Sequence, residues 1–121
     1  MNIHKASRAT NFSTGESWVG RVVVVSVSGD LDVLTAPDLA AAIQAGVRQG
    51  PDALIVDLSN VQFLASAGMG VLIASGRDIG PSVRFGVVAD GPSTRRPLAL
   101  IGIDTMIAVY RTLDEAVRAR S

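Results

Sequence analysis

Val22-Val23-Val24-Val25-Ser26-Val27 is a nearly continuous β-branched run, and it limits the folds open to this chain more than any other segment. β-Branched side chains suit strands, and a strand without polar alternation is buried on both faces. This run therefore reads as the central strand of a sheet covered on both sides. Phe12 to Trp18 precedes it across a turn at Gly20, so the two read as an antiparallel hairpin.

Strand and helix signals alternate after the hairpin. Thr35-Ala36-Pro37-Asp38 reads as a helix start: Thr35 can cap, Pro37 suits the first turn, and Asp38 completes a capping-box spacing. Leu39, Ile43 and Val47 fall four apart on one stripe, and Gly50-Pro51 stops the helix. Ala53 to Leu58 reads as the third strand, with Asp57, Ser59 and Asn60 ending its apolar run before a short loop. Ala67 to Asp78 reads as the second helix, with Val71, Leu72 and Ser75 inward and Gly80-Pro81 as its stop. Val83 to Ala89, a short helix from Ser93 or Thr94 through Ile101, and Ile107 to Tyr110 follow. Thr112-Leu113-Asp114-Glu115 is a second capping box, opening a last helix through Arg118. The order is ββαβαβαβα: an α/β single domain with a mixed, mostly parallel five-stranded sheet and four helices. Right-handed crossovers follow from the alternation, with the first strand as the antiparallel edge. Residues 1–11 read as a flexible tail and 12–121 as the domain.

Composition narrows the function. Apolar residues make up 48% of the chain and aromatics 4%, which makes the core aliphatic. Lys plus Arg equal Asp plus Glu at 11 each, so no net field draws in nucleic acid or anionic lipid. With no cysteine, disulfides, thiol switching and Cys-based zinc sites are excluded. No apolar run approaches a membrane span and no leader is visible, which reads as a cytoplasmic protein without membrane insertion.

The enzyme signals are also thin. The one histidine, His4, lies in the expected tail, away from any triad or metal set. Ala65-Ser66-Ala67-Gly68 does not form the hydrolase elbow, and no phosphate loop occurs. No cofactor, metal or catalytic residue is expected. Ser66 stands where the second helix begins, and its hydroxyl can cap that helix for about 1 kcal/mol. It is also exposed enough to be modified.

Gly29-Asp30-Leu31-Asp32, Ala36, Leu39, Asp57-Leu58-Ser59 and Ser66-Ala67-Gly68 occur in that order. Leu100-Ile101-Gly102-Ile103, Val109-Tyr110, Leu113 and Glu115-Ala116 continue it. This ordered set, from about Phe12 to Ala119, resembles the anti-sigma factor antagonists, the small single-domain members of the STAS family. The resemblance implies a binding switch. The unmodified form binds an anti-sigma factor that is itself a serine kinase and frees a sigma factor; phosphorylation of Ser66 ends the binding. The family carries an aspartate before the acceptor serine, and here Ala65 replaces it. The implied contact surface is Asp30, Asp32, Thr35, Ala65, Ser66, Ala67, Gly68 and Met69, on a monomer or weak dimer. Asp30 and Asp32 also suit turn chemistry, and Asp57 suits a strand end bonding its neighbours' amides. Gly68 and Gly70 allow close approach by a partner or a packed strand. Arg95-Arg96 reads as a solvated helical turn and Trp18 as edge packing. The same fold also serves transport systems as an accessory subunit, so a transporter contact or a phosphorylation-independent scaffold is the competing reading.

Overall fold

The valine run is buried throughout its centre, and the strand that contains it lies inside a five-stranded sheet of order β1-β2-β3-β4-β5. The computed structural model describes residues 11–119. His4 and the rest of the expected tail through residue 10 lie outside the described residues, as do residues 120–121.

The strands are β1 (Phe12–Val19), β2 (Val22–Leu31), β3 (Ala53–Leu64), β4 (Arg84–Val88) and β5 (Ala108–Tyr110). β1 pairs antiparallel with β2, and every later neighbour is parallel, as the pattern predicts. The helices are α1 (Ala36–Val47), α2 (Ser66–Asp78), α3 (Arg95–Leu100) and α4 (Leu113–Arg118), with a 3-10 turn at Ile103–Thr105. No helix among the described residues is long and apolar enough to cross a membrane.

Pleat alternation assigns each buried residue to a layer. Val23, Val25, Val27, Leu54, Val56, Leu58 and Val87 share one cluster with Leu39 and Ile43 of α1, Leu72 of α2 and Leu98 of α3. The crossover helices thus cover one face. Ile55 and Val88 point the other way, against Ala116 of α4, with Val22, Tyr110 and Leu113 around them. The expected stripe on α1 holds, with Leu39 and Ile43 buried and Val47 half-buried. On α2 only Leu72 of the expected inward side chains is fully buried; Val71 and Ser75 are half-buried.

Two local expectations fail. β3 does not end near Leu58 but runs to Leu64, because β2 also continues to Leu31 and the two strands stay paired in parallel across two register shifts, Asp30 opposite Phe63 and Leu31 opposite Leu64. Asp57, Ser59 and Asn60 therefore lie within a strand: Asp57 Oδ1 accepts the Ser59 amide (3.0 Å) and hydroxyl (2.6 Å). Thr35 occupies the N-cap of α1 but its hydroxyl does not cap it. The second capping box does form at its first half. The Glu115 amide donates to Thr112 Oγ1 (3.1 Å), while Glu115 Oε1 accepts the Arg111 amide (3.1 Å).

Candidate functional site

β3 pairs with β4 only from Ala53 to Asp57, while its pairing with β2 continues to Leu64. The last residues of β2 and β3 therefore project as a ribbon past β4 and β5, with β1 beside β2 as far as Gly29. Register shifts at Ser26/Ser28 and Gly29/Asp30 bend that ribbon. Gly29 enables the bend: its φ is +96°, and an added Cβ would collide with the Asn11 carbonyl. The Asn11 carbonyl instead accepts the Asp30 amide at 2.7 Å.

α2 starts on the end of this ribbon. The Ala65 amide donates to the Leu31 carbonyl (2.9 Å), and the chain turns into the helix at Ser66. A Cβ at Gly68 would lie 2.6 Å from Leu31 Cγ and 3.0 Å from Leu64 Cδ1, so only glycine lets the first turn sit this close to the strand ends. Gly68 is buried and belongs to the packing, not to an accessible contact surface. Gly70 faces open space. Met69 is half-buried against the main core.

Ser66 is exposed, but it does not cap α2. It is the first helical residue, and Ala65, with the extended backbone of an N-cap (φ −91°, ψ 169°), stands where a capping side chain would. The Ala65 carbonyl accepts the Gly68 and Met69 amides (3.0 and 3.2 Å), but its methyl offers nothing to the amides of the first turn. The Ser66 hydroxyl thus projects from a helix start with no side-chain cap.

Beside it, the β2–α1 loop is fixed by a reciprocal staple. Asp32 Oδ1 accepts the Leu34 and Thr35 amides (3.0 and 3.1 Å). Thr35 Oγ1 accepts the Asp32 amide (2.9 Å) and donates to the Asp30 carbonyl (2.9 Å). Asp32 and Thr35 therefore shape the loop, which for Asp32 is the turn chemistry open to it in the sequence. Their effect is to turn two aliphatic side chains outward: Val33 is 71% exposed and Leu34 65%. Phe63, across from Asp30 on the ribbon, is 53% exposed. These three apolar side chains and Ser66 occupy one end of the sheet. The sequence pointed to Asp30, Asp32 and Thr35 around Val33 and Leu34 but not to Phe63; the available signal was the strand propensity of Val61, Phe63 and Leu64.

No three His, Asp or Glu side chains gather as a metal set among the described residues. A cleft of about 410 Å³ lies between α1 and α2, lined by Ile43, Val47, Val71 and Ile79, and is separate from the Ser66 end. At the far side of the sheet end, Arg95 is tied down, its guanidinium donating to the Ala89 carbonyl (3.1 Å), while Arg96 is exposed as expected.

Residues 18–116 match the model of the STAS domain. The chain is 46% identical over 96 residues to the anti-sigma-F factor antagonist RsfB of Mycobacterium tuberculosis, covering 79% of each. It is similar to the crystal structure of an anti-sigma factor antagonist from Mycobacterium paratuberculosis, at 47% identity and a TM-score of 0.84, covering 88% of this chain and 91% of that one. The Bacillus cell fate determinant SpoIIAA in its phosphorylated form shares the fold at 22% identity and a TM-score of 0.63, with 87% and 96% covered.

Proposed function

The chain belongs to the STAS domain family, and from that membership we propose that it is an anti-sigma factor antagonist switched at Ser66. Its relatives at 46–47% identity carry that description. In the cytoplasm the unmodified protein binds an anti-sigma factor and thereby frees a sigma factor. The anti-sigma factor is a serine kinase, and it phosphorylates Ser66 to end the complex.

The observation that carries this reading is the exposed Ser66 at the start of α2, beside outward-facing Val33, Leu34 and Phe63. Exposed aliphatic and aromatic side chains on a stapled loop and a paired ribbon present a preorganised apolar surface, which lowers the entropic cost of binding. A hydroxyl at its border is open to a kinase. Asp30 and Asp32 contribute the loop's shape and an acidic margin, and Ala67 and Met69 flank the serine.

Phosphorylation would add about two negative charges and three acceptor oxygens. At the first turn of α2 those oxygens meet uncapped amides and the positive end of the helix dipole, so the modification does not oppose the fold. Ala65 places no carboxylate next to the phosphate. Release comes from charge and bulk introduced into an apolar contact surface, not from unfolding.

Ala65 also supports a second reading. Without the family's aspartate beside the serine, a kinase loses one recognition feature, and the same surface would then serve a constitutive scaffold or a transport-system subunit. Wild-type, Ser66→Ala and Ser66→Asp proteins used as baits in lysate of the source organism separate the two. A kinase-domain protein held by wild type and Ser66→Ala but lost with Ser66→Asp supports the switch. A partner held equally by all three favours the scaffold, and a membrane transport ATPase among the captured proteins favours the transporter.

A further inference from the structure

Among the described residues β1 is the long unpaired edge of the sheet, and its backbone is arranged to accept another strand. The Asp30 amide donates to the Asn11 carbonyl, so Asn11 and Asp30 form a hydrogen-bonded pair at the start of the β1–β2 ladder. Such pairs alternate along an antiparallel ladder. The register Phe12↔Gly29 through Val19↔Val22 is unbroken, so Ser13, Gly15, Ser17 and Val19 direct their N–H and C=O groups at β2. Phe12, Thr14, Glu16 and Trp18 direct theirs outward, where no described residue pairs with them.

Edge strands usually carry devices that block pairing: proline, charged side chains (lysine above all), a bulge, or shortness. β5, at the other edge, has three residues. β1 has eight, and it contains no proline, lysine or arginine and no register shift. Its one charge, Glu16, is held on the helix side of the sheet by Gln49 Nε2 (2.9 Å to Oε2) and by Trp18 Nε1 (3.0 Å). The chain as a whole is neutral, so two copies do not repel at long range.

We infer that β1 is a self-association edge, on which a second copy of this chain adds its own β1 antiparallel to form one continuous sheet across a two-fold axis. The register follows from geometry. An axis relating two adjacent antiparallel strands stands perpendicular to the sheet, so each residue faces one whose side chain is on the same face. With the axis through Gly15, Thr14 faces Glu16 of the second copy and Phe12 faces its Trp18. Every outward N–H and C=O of the strand is then paired. An axis through Glu16 opposes two carboxylates and sets Phe12 against the turn at Gly20; one through Thr14 sets Trp18 against no described residue. Gly15 has open space around its Cβ position, so nothing blocks the axis. The Phe12–Trp18 contacts flank the axis symmetrically and supply the apolar component, of the cross-strand aromatic kind that favours pairing. Because the strands run oppositely, the two Ser66 ends point in opposite directions and both stay accessible. The association is independent of the proposed switch.

The chain's lack of cysteine and its single tryptophan provide direct tests. Sedimentation equilibrium from about 10 µM to about 1 mM spans the range where a small, largely backbone interface forms. The expected result is a mass that rises toward twice the monomer, with Trp18 emission shifting to the blue over the same range. Gly15→Cys should give a disulfide-linked dimer on air oxidation, since the two cysteines face each other on the axis. Ser13→Cys, which faces Ser17 of the second copy, should stay uncoupled. Thr14→Pro removes only an outward amide, a position where an edge strand tolerates proline, and should return the mass to monomer with the fold intact by circular dichroism. A monomer across the whole range with Gly15→Cys uncoupled overturns the proposal and leaves the edge to a strand of another protein or to solvent. A dimer in which Gly15→Cys and Ser13→Cys couple equally overturns it as well, because the interface is then elsewhere.

Discussion

Gly68 of α2 rests on Leu31 of β2 so closely that a methyl group added at Gly68 would lie 2.6 Å from Leu31 Cγ. That contact fixes where the helix begins, and therefore where Ser66 is presented. Gly68→Val should destabilise the protein by about 1–3 kcal/mol through overpacking, well beyond any gain in helix propensity. Urea denaturation would show it as a lower midpoint. A neutral midpoint with weakened partner binding would return Gly68 to the contact surface, where the sequence had placed it.

Ala65 occupies an N-cap with a side chain that cannot cap. Ala65→Asp should stabilise the protein by about 1 kcal/mol, since the carboxylate can accept a first-turn amide and complement the helix dipole. Thermal melts should show a higher Tm. An unchanged Tm would mean that the first turn of α2 is satisfied in another way.

Leu34 and Phe63 are exposed, so their removal costs the fold little. Leu34→Asp and Phe63→Ala should each lower partner affinity by about tenfold or more, the scale of a central apolar anchor. Their unfolding midpoints should stay close to wild type. Affinity by calorimetry against the captured partner checks this; unchanged binding in both would move the contact surface away from this end of the sheet.

The Glu16 carboxyl is held below its ordinary value of 4.5, first by the hydrogen bond from Gln49 and then by that from Trp18. A folded-state value below the unfolded one stabilises the fold above the unfolded value, and that contribution is lost as pH falls through the folded one. Glu16→Gln should therefore be less stable than wild type at neutral pH, with the gap closing below about pH 4.5. Midpoints measured from pH 7 to pH 3 would show the convergence. A constant gap would assign the effect to lost packing instead of to charge.

Much of the fold was legible because layer and period coincide. The Val22–Val27 run identified a strand buried on both faces, and Leu39, Ile43 and Val47 identified the covered side of α1. The capping signal at Thr112 was half realised, since Glu115 reaches back to Arg111 and not to Thr112. Less visible was what depends on two segments at once. β3 overruns Leu58 only because β2 overruns Val27, and neither segment shows this alone. Ser66 looked like the cap because serine suits that role, yet the hydrogen bond from the Ala65 amide to the Leu31 carbonyl sets the helix start one residue earlier. Thr35 looked like a cap for the same reason, but the Asp30 carbonyl and the Asp32 amide claim its hydroxyl. At the candidate site, Ser66, Asp30, Asp32 and Thr35 were singled out by the motif, whereas the exposure of Phe63 and the burial of Gly68 follow from tertiary pairing.

In the proposed switch, phosphate at Ser66 breaks a contact without breaking the fold. Protein carrying phosphoserine incorporated at position 66 during translation, compared with unmodified protein against the captured anti-sigma factor, tests both halves in one preparation. Affinity should be at least about tenfold lower, the scale of losing one central contact, while the thermal transition stays cooperative at a Tm no lower than that of the unmodified protein. Equal affinity for the two forms, or a phosphorylated form that has lost its cooperative transition, would contradict it.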